Sequence, residues 1–310
     1  MFSHLSDISD RLVFEEALFP IDIQLYEYEF KEKHSSGKIF VQYLPQLGLK
    51  SKKKKGIFKD PFAPPEEKLT IYEKDGYYIA FNKFNIINCH LLLINSTPIF
   101  QRCIPNGSDF HQFSKVFLED KTAIFGFNSG YNSGYSQPHR HFHLVFPQYL
   151  HKFDSSAFHG LSDIFLGDKD KKMESFYKFS GLETVRHGVV KIDGYDPISI
   201  QNGYNILMHA LLHTCPWMEE KEALISSGRA LPFCCEPSPK SLVIKESYNL
   251  VVTKDLIACF VRSREYFVAD VSVNWFGMLG YLLCKNKDSL KLCDGTTYSE
   301  LMQSVCINED

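Results

Sequence analysis

The spacing of apolar residues changes along the chain, and each change marks an element. Tyr77–Phe81 and 90–94 are short runs of apolar, aromatic and β-branched residues, with Asn-rich punctuation at 85–88 between them. Such runs predict two strands joined by a loop. Over 106–120 the positions of Phe110, Phe113, Val116 and Phe117 follow a helical period, with Ser108 or Asp109 as the candidate cap. Strands are predicted at 122–127 and 139–146, around a turn-rich loop at 126–134. The segment 204–213 reads as a helix, and Pro216 and the Pro-rich stretch 232–239 as connections. Strands at 248–253, 257–261 and 266–270 and a helix over 273–285 close the chain. No repeat with a period of roughly 20–50 residues is visible. Strands follow strands without regular βαβ alternation, so the expected class is α+β, with a mainly antiparallel sheet and flanking helices.

Composition narrows the function classes. Hydrophobic residues are 44% and charged residues 23%, which suits a packed globular core and excludes a collagen or a largely disordered chain. The net charge of -3 offers no global basic field, so nucleic acid is not an expected partner. No apolar run approaches the roughly 18 residues of a spanning helix, so no membrane partner is expected either. The start, MFSHLSDISD, is polar and acidic, unlike a signal peptide. Nine scattered cysteines are an odd number without CxxC spacing, and Cys234-Cys235 does not suggest zinc. A reducing compartment follows, the cytoplasm with the nucleus as the other choice. The run Lys50-Ser51-Lys52-Lys53-Lys54-Lys55 leads into Asp60-Pro61-Phe62-Ala63-Pro64-Pro65. It reads either as a solvated loop or as a loop whose ammonium groups fold over a polyanion.

The chemistry concentrates at 128–146. On a strand, alternation puts His139, His141 and His143 on one face and Arg140, Phe142, Leu144 and Phe146 on the other. Three imidazoles on one face need partners if buried. The preceding loop supplies Gly130 and Gly134 for close backbone approach, and Asn128, Asn132, Ser136 and Gln137 as neutral donors, a setting for phosphate. The residues themselves admit structurally satisfied histidines, a His-x-His metal site without an obvious carboxylate or Cys partner, or nucleophilic attack on phosphorus by a neutral imidazole.

The string Asn128-Ser129-Gly130, Ser136-Gln137-Pro138-His139-Arg140-His141-Phe142-His143 resembles the histidine-triad superfamily, and within it the diadenosine tetraphosphate phosphorylases, or ATP adenylyltransferases. Phe81-Asn82-Lys83-Phe84 with His90-Leu91-Leu92, Ser247–Leu250, Val261–Glu265 and 273–285 extend the resemblance over most of the chain. It implies one histidine-triad-like domain over 1–310, with a flexible Lys/Pro-rich loop at about 50–66 and a variable region at about 150–240. It implies that His141 is the nucleophile, forming an adenylylated histidine that phosphate resolves, with His139 and His143 assisting. By motif position, Lys50, Asn82, Lys83, Asn128, Gly134, Tyr135, Ser136, Gln137, Asn274, Trp275, Phe276, Tyr281 and Lys285 would bind substrate. The implied partners are dinucleoside polyphosphate, phosphate, ATP and ADP, in a monomer or homodimer. No cofactor or resident metal is implied, Mg²⁺ entering only with the polyphosphate. His143 stands where the transferase branch usually has Gln and the hydrolase branch His, which leaves water as the alternative acceptor. A further alternative is a nucleotide- or metal-binding protein without catalysis.

Overall fold

The computed structural model describes residues 2, 4–32, 36–45, 60–149, 171–173, 175–226 and 237–309. After helix α1 (Leu5–Phe14) come β1 (Gln24–Lys31), β2 (Ser36–Tyr43), β3 (Thr70–Lys74), β4 (Tyr77–Phe81) and β5 (Leu91–Asn95). Helix α2 (Gly107–Glu119) leads to β6 (Ile124–Ser129), β7 (His141–Val145), β8 (Lys171–Lys172), β9 (Tyr177–Lys178) and β10 (His187–Lys191). Next are α3 (Pro197–Leu211), β11 (Thr214–Pro216), α4 (Trp217–Ser226), β12 (Leu242–Ile244), β13 (Ser247–Val252) and β14 (Leu256–Arg262). The chain ends with β15 (Val271–Ser272), β16 (Tyr281–Cys284) and α5 (Tyr298–Val305).

The architecture is the expected α+β class. A ten-stranded sheet has the order β3-β4-β5-β7-β6-β13-β14-β10-β9-β8, and every pairing in it is antiparallel. A second sheet, β1-β2-β16-β15, includes one parallel pair, β2 with β16. The large sheet contains one unit twice. Strands β5, β6 and β7 with α2 are ordered β5-β7-β6, and β10, β13 and β14 with α3 are ordered β10-β14-β13. The two units meet where β6 pairs with β13, Asn128 facing Asn249. Too little sequence is shared between them for the repeat to be read from the chain.

Two apolar layers sandwich the large sheet. Phe110, Phe113 and Phe117 of α2 pack with Phe125, Phe127 and Phe142 on one side. Val145, Trp275, Phe276 and Tyr281 belong to the core on the other. Burying a large apolar side chain is worth roughly 1.5–3 kcal/mol, so this alternation settles which way β7 faces.

Several local expectations are corrected. Helix α2 is capped by Asn106, whose side chain accepts from the Ser108 N–H, while Asp109 reaches back to the Asn106 N–H. Ser108 and Asp109 are therefore inside the helix; Asp109 closes a capping box. The helix expected over 273–285 is a short 3₁₀ turn (Gly277–Leu279) followed by strand β16. Gly280 takes φ 85° and turns the chain into pairing with β2, a long-range partner that local spacing does not reveal. The strand expected at 266–270 is instead a loop, reversed at Asp270 (φ 61°) just before β15. Helix α4 and the sheet built on β1 and β2 had no counterpart in the sequence reading.

Candidate active site

His141 and His143 lie on β7 and His139 two residues ahead of it, so the strand begins later than the expected 139. His141 is held by two neighbours, the His139 carbonyl and the Gln101 side chain. Its ring Nδ1 is 2.8 Å from the His139 carbonyl, which accepts its proton. The regular β6–β7 ladder runs to Gly126 and His143; past that point the Gln101 amide bridges the two strands. Gln101 Oε1 accepts from the His141 N–H at 2.9 Å, and Gln101 Nε2 donates to the Asn128 carbonyl at 2.7 Å. The proton on Nδ1 puts the lone pair of His141 on Nε2, which has no hydrogen-bond partner among the described residues. Burial, reinforced by neighbouring His139, pushes the His141 pKa down to about 4, against the raising effect of its bond to the His139 carbonyl. The ring is therefore neutral at physiological pH.

His139 does not offer a ring nitrogen to a ligand. Its Nδ1 lies 2.9 Å from Asp60 Oδ2 and its Nε2 lies 2.8 Å from the Asn95 carbonyl. It acts on His141 through its own carbonyl. Asp60 begins a segment that crosses the site: Phe62, anchored by the Tyr78 hydroxyl donating to its carbonyl at 2.6 Å, sets its ring 5.1 Å from that of His141. Behind Asn95, Arg140 donates from Nε to the Asn95 side chain at 3.0 Å and pairs with the buried Asp109 at 3.1 Å.

His143 is also engaged at both nitrogens, with His90 Nε2 2.9 Å from Nδ1 and the Asn128 amide 3.2 Å from Nε2. The ring lies against Trp275, centroids 5.7 Å apart. Burial drives the His143 pKa well below its ordinary value and that of His90 to about 3, each also disfavoured by neighbouring imidazoles.

The other expected site residues divide into three groups. Asn82 borders the imidazoles, its amide 3.3 Å from His90 Nδ1. Asn128 joins them to the second unit, its Oδ1 accepting from the Trp275 N–H and the Asn249 amide, both at 2.7 Å. Gly134, Tyr135, Ser136 and Gln137 form the loop before β7, with Tyr135 edge-on to Tyr131 and Gln137 Oε1 buried without a hydrogen-bond partner among the described residues. Gly134 has φ 79°, and a β-carbon there would stand 2.9 Å from Asn274 Cβ; this approach docks the C-terminal segment on the loop. Asn274 itself accepts at Oδ1 from the Phe276 N–H at 2.9 Å and shapes the following turn.

Trp275, Phe276 and Tyr281 are buried and stack into the core as the floor beneath His143, so their surroundings are those of packing residues. Lys83 reaches the site's edge but is bound to both oxygens of Glu66, at 2.8 and 2.9 Å. Lys285 lies with its ammonium 5.8 Å from the Tyr266 ring centroid, and that contact, rather than the imidazoles, is what the fold gives it. Lys50 and the Lys52-Lys55 run lie outside the described residues.

Sequence reasoning missed Asp60, Asn95, Gln101 and Asn249 as parts of this network and treated His90 only as a strand residue. Among these, a buried histidine entering a strand beside the motif was the one local signal.

Family models match both parts of the chain: the Ap4A phosphorylase N-terminal domain over residues 40–156 and the ATP adenylyltransferase C-terminal domain over 176–308. Diadenosine 5',5'''-P1,P4-tetraphosphate phosphorylase 2 of Saccharomyces cerevisiae is 25% identical over 282 residues, covering 85% of this chain and 81% of the relative. The crystal structure of yeast Ap4A phosphorylase Apa2 in complex with Ap4A superposes with a TM-score of 0.67 at 19% identity, covering 99% of this chain and 97% of that one. The same yeast protein in complex with AMP gives 0.69, covering 99% and 96%. The class is thus that of the nucleotidyltransferases. Within it, the chain belongs to the Ap4A phosphorylase/ATP adenylyltransferase family.

Proposed function

We propose that this chain cleaves diadenosine tetraphosphate by phosphorolysis, yielding ATP and ADP through an adenylylated His141. The observation that carries the reading is the state of the His141 ring: Nδ1–H is tied to the His139 carbonyl, and Nε2 keeps its lone pair with no hydrogen-bond partner among the described residues. In the first step Nε2 attacks the α-phosphorus. A P–N bond forms, the P–O bond to the β-phosphate breaks, and ATP leaves with the electron pair. In the second step a phosphate oxygen attacks the same phosphorus, the P–N bond breaks, and ADP and the free imidazole are produced. Backbone and side-chain donors of the 134–137 loop would meet the phosphoryl oxygens as charge moves onto them. Lys83 would exchange Glu66 for the polyphosphate, and any Mg²⁺ would arrive with that polyphosphate as part of the substrate.

Occupation of both His143 nitrogens favours phosphate over water as the acceptor, because a ring already bonded to His90 and Asn128 has no free nitrogen with which to activate water. The test is the product pattern from diadenosine tetraphosphate with and without phosphate. ATP plus ADP, formed only when phosphate is present, supports phosphorolysis. AMP plus ATP at a rate independent of phosphate makes the protein a hydrolase.

A further inference from the structure

A chain of hydrogen bonds runs from the second unit of the sheet into the site, and its direction can be worked out from donor counts. Arg262 is buried at the end of β14. Its guanidinium only donates. It donates to the carbonyls of Val305 at 3.0 Å, Val273 at 2.9 Å and Arg264 at 2.8 Å, and also to Asn249 Oδ1. Asn249 must therefore turn its oxygen to Arg262 and its NH₂ away. That NH₂ donates to the Ser133 carbonyl at 3.0 Å and to Asn128 Oδ1 at 2.7 Å. Asn128 Oδ1 takes a second proton from the Trp275 N–H, so the Asn128 NH₂ is what faces His143 Nε2.

His143 Nε2 is then an acceptor, and a neutral ring carries its proton on Nδ1. This proton points at His90 Nε2, 2.9 Å away, which must be bare. The His90 proton is left on Nδ1, facing Asn82. Two amide NH₂ groups cannot donate to both ends of a pair of neutral imidazoles, because the inner contact needs one proton and one lone pair. Asn128 is pinned by two donors, whereas the Asn82 amide is the end able to turn. Burial keeps both rings neutral.

We propose that Arg262 and Asn249 are positioning residues that hold His143 and His90 as Nδ1–H tautomers, so that Asn82 gives its oxygen to His90 and presents its NH₂ to the nucleotide. The tautomer assignment rests on the hydrogen-bond geometry of two rings that burial keeps neutral; the role toward the nucleotide rests on the function proposed above.

The test is long-range ¹H–¹⁵N correlation of imidazole nitrogens in the intact, ligand-free protein, with His143→Gln and His90→Gln used for assignment. Both residues should show a protonated Nδ1 and a bare Nε2, although Nε2–H is the commoner form of free histidine. In Asn249→Asp the new carboxylate cannot donate to Asn128, so the Asn128 amide turns and His143 should move its proton to Nε2. Its activity on diadenosine tetraphosphate should fall roughly 10- to 100-fold, as for loss of one well-aligned hydrogen bond to a charged group. A wild-type His143 protonated at Nε2, or an Asn249→Asp spectrum unchanged at His143, overturns the proposal. If Asn249→Asp does not fold, the wild-type spectrum decides alone. Expected tautomers in a protein that leaves diadenosine tetraphosphate intact would overturn the proposed activity and leave the relay standing.

Discussion

The indole of Trp275 lies nearly parallel to the His143 ring, 25° between planes, and fills the space above Gly126 where any side chain would stand. A β-carbon at 126 would come 1.8 Å from Trp275 Cδ2. The third histidine of the motif is thus seated on a residue from the far end of the chain, and the seat exists because β6 carries no side chain at that point.

Gly126→Ala should therefore be costly. Overpacking of this kind typically destabilises by about 1–3 kcal/mol, and relieving it would displace the Trp275 indole from its place against the His143 ring. The variant should show a lower denaturant midpoint, measured by equilibrium unfolding, together with reduced turnover.

His141→Asn should abolish turnover, by about four orders of magnitude or more, since the nucleophile is lost. On the function proposed above, substrate should still bind, because the 134–137 loop and Asn128 are untouched. Calorimetric binding of diadenosine tetraphosphate with mass spectrometry of the trapped intermediate checks both parts. An AMP adduct should form on the wild-type chain and be missing from the variant.

Asp109→Ala should be among the most destabilising single changes. It leaves buried Arg140 without its carboxylate, removes half of the α2 capping box and takes the acceptor from the Tyr77 hydroxyl. Breaking a buried pair from one side costs about 3–5 kcal/mol, readable as a shift in the urea midpoint.

Acid should weaken the fold in a defined window. His141 and His187 are held down to about 4 and His90 to about 3, mainly by burial, against about 6.5 in an unfolded chain. The folded state therefore binds fewer protons than the unfolded one between those values. Stability from these groups is complete above pH ~6.5 and is lost as pH falls toward ~4, each histidine contributing up to about 1.4 kcal/mol per pH unit. Thermal melts at pH 7, 6, 5 and 4 should show a falling Tm, while kcat/KM should be flat from pH 6 to 8 as far as His141 governs it.

Much of the first unit was legible along the chain. Short apolar and β-branched runs located β4, β5 and β6, and alternation located β7, each within a few residues; the helical spacing of Phe110, Phe113 and Phe117 located α2. Their apolar patterns are visible locally, although β5 pairs with β7 and β6 with β13 across the fold. Over 273–285 local spacing misled: the pattern is helical, but the last residues are claimed by β2 as a parallel strand.

The same division holds in the site. By itself the sequence determined the alternation that puts His141 and His143 on one face of β7, and the glycines that permit close backbone approach, as Gly134 does against Asn274. Only the tertiary structure decided what each imidazole can do. The atoms that occupy His139 belong to Asp60 and Asn95, those that occupy His143 belong to His90 and Asn128, and the donor that orients Asn128 through Asn249 is Arg262 of the opposite unit. A ring nitrogen is nucleophile, donor or spectator according to what lies within 3 Å of it, and that distance is set by folding rather than by order along the chain.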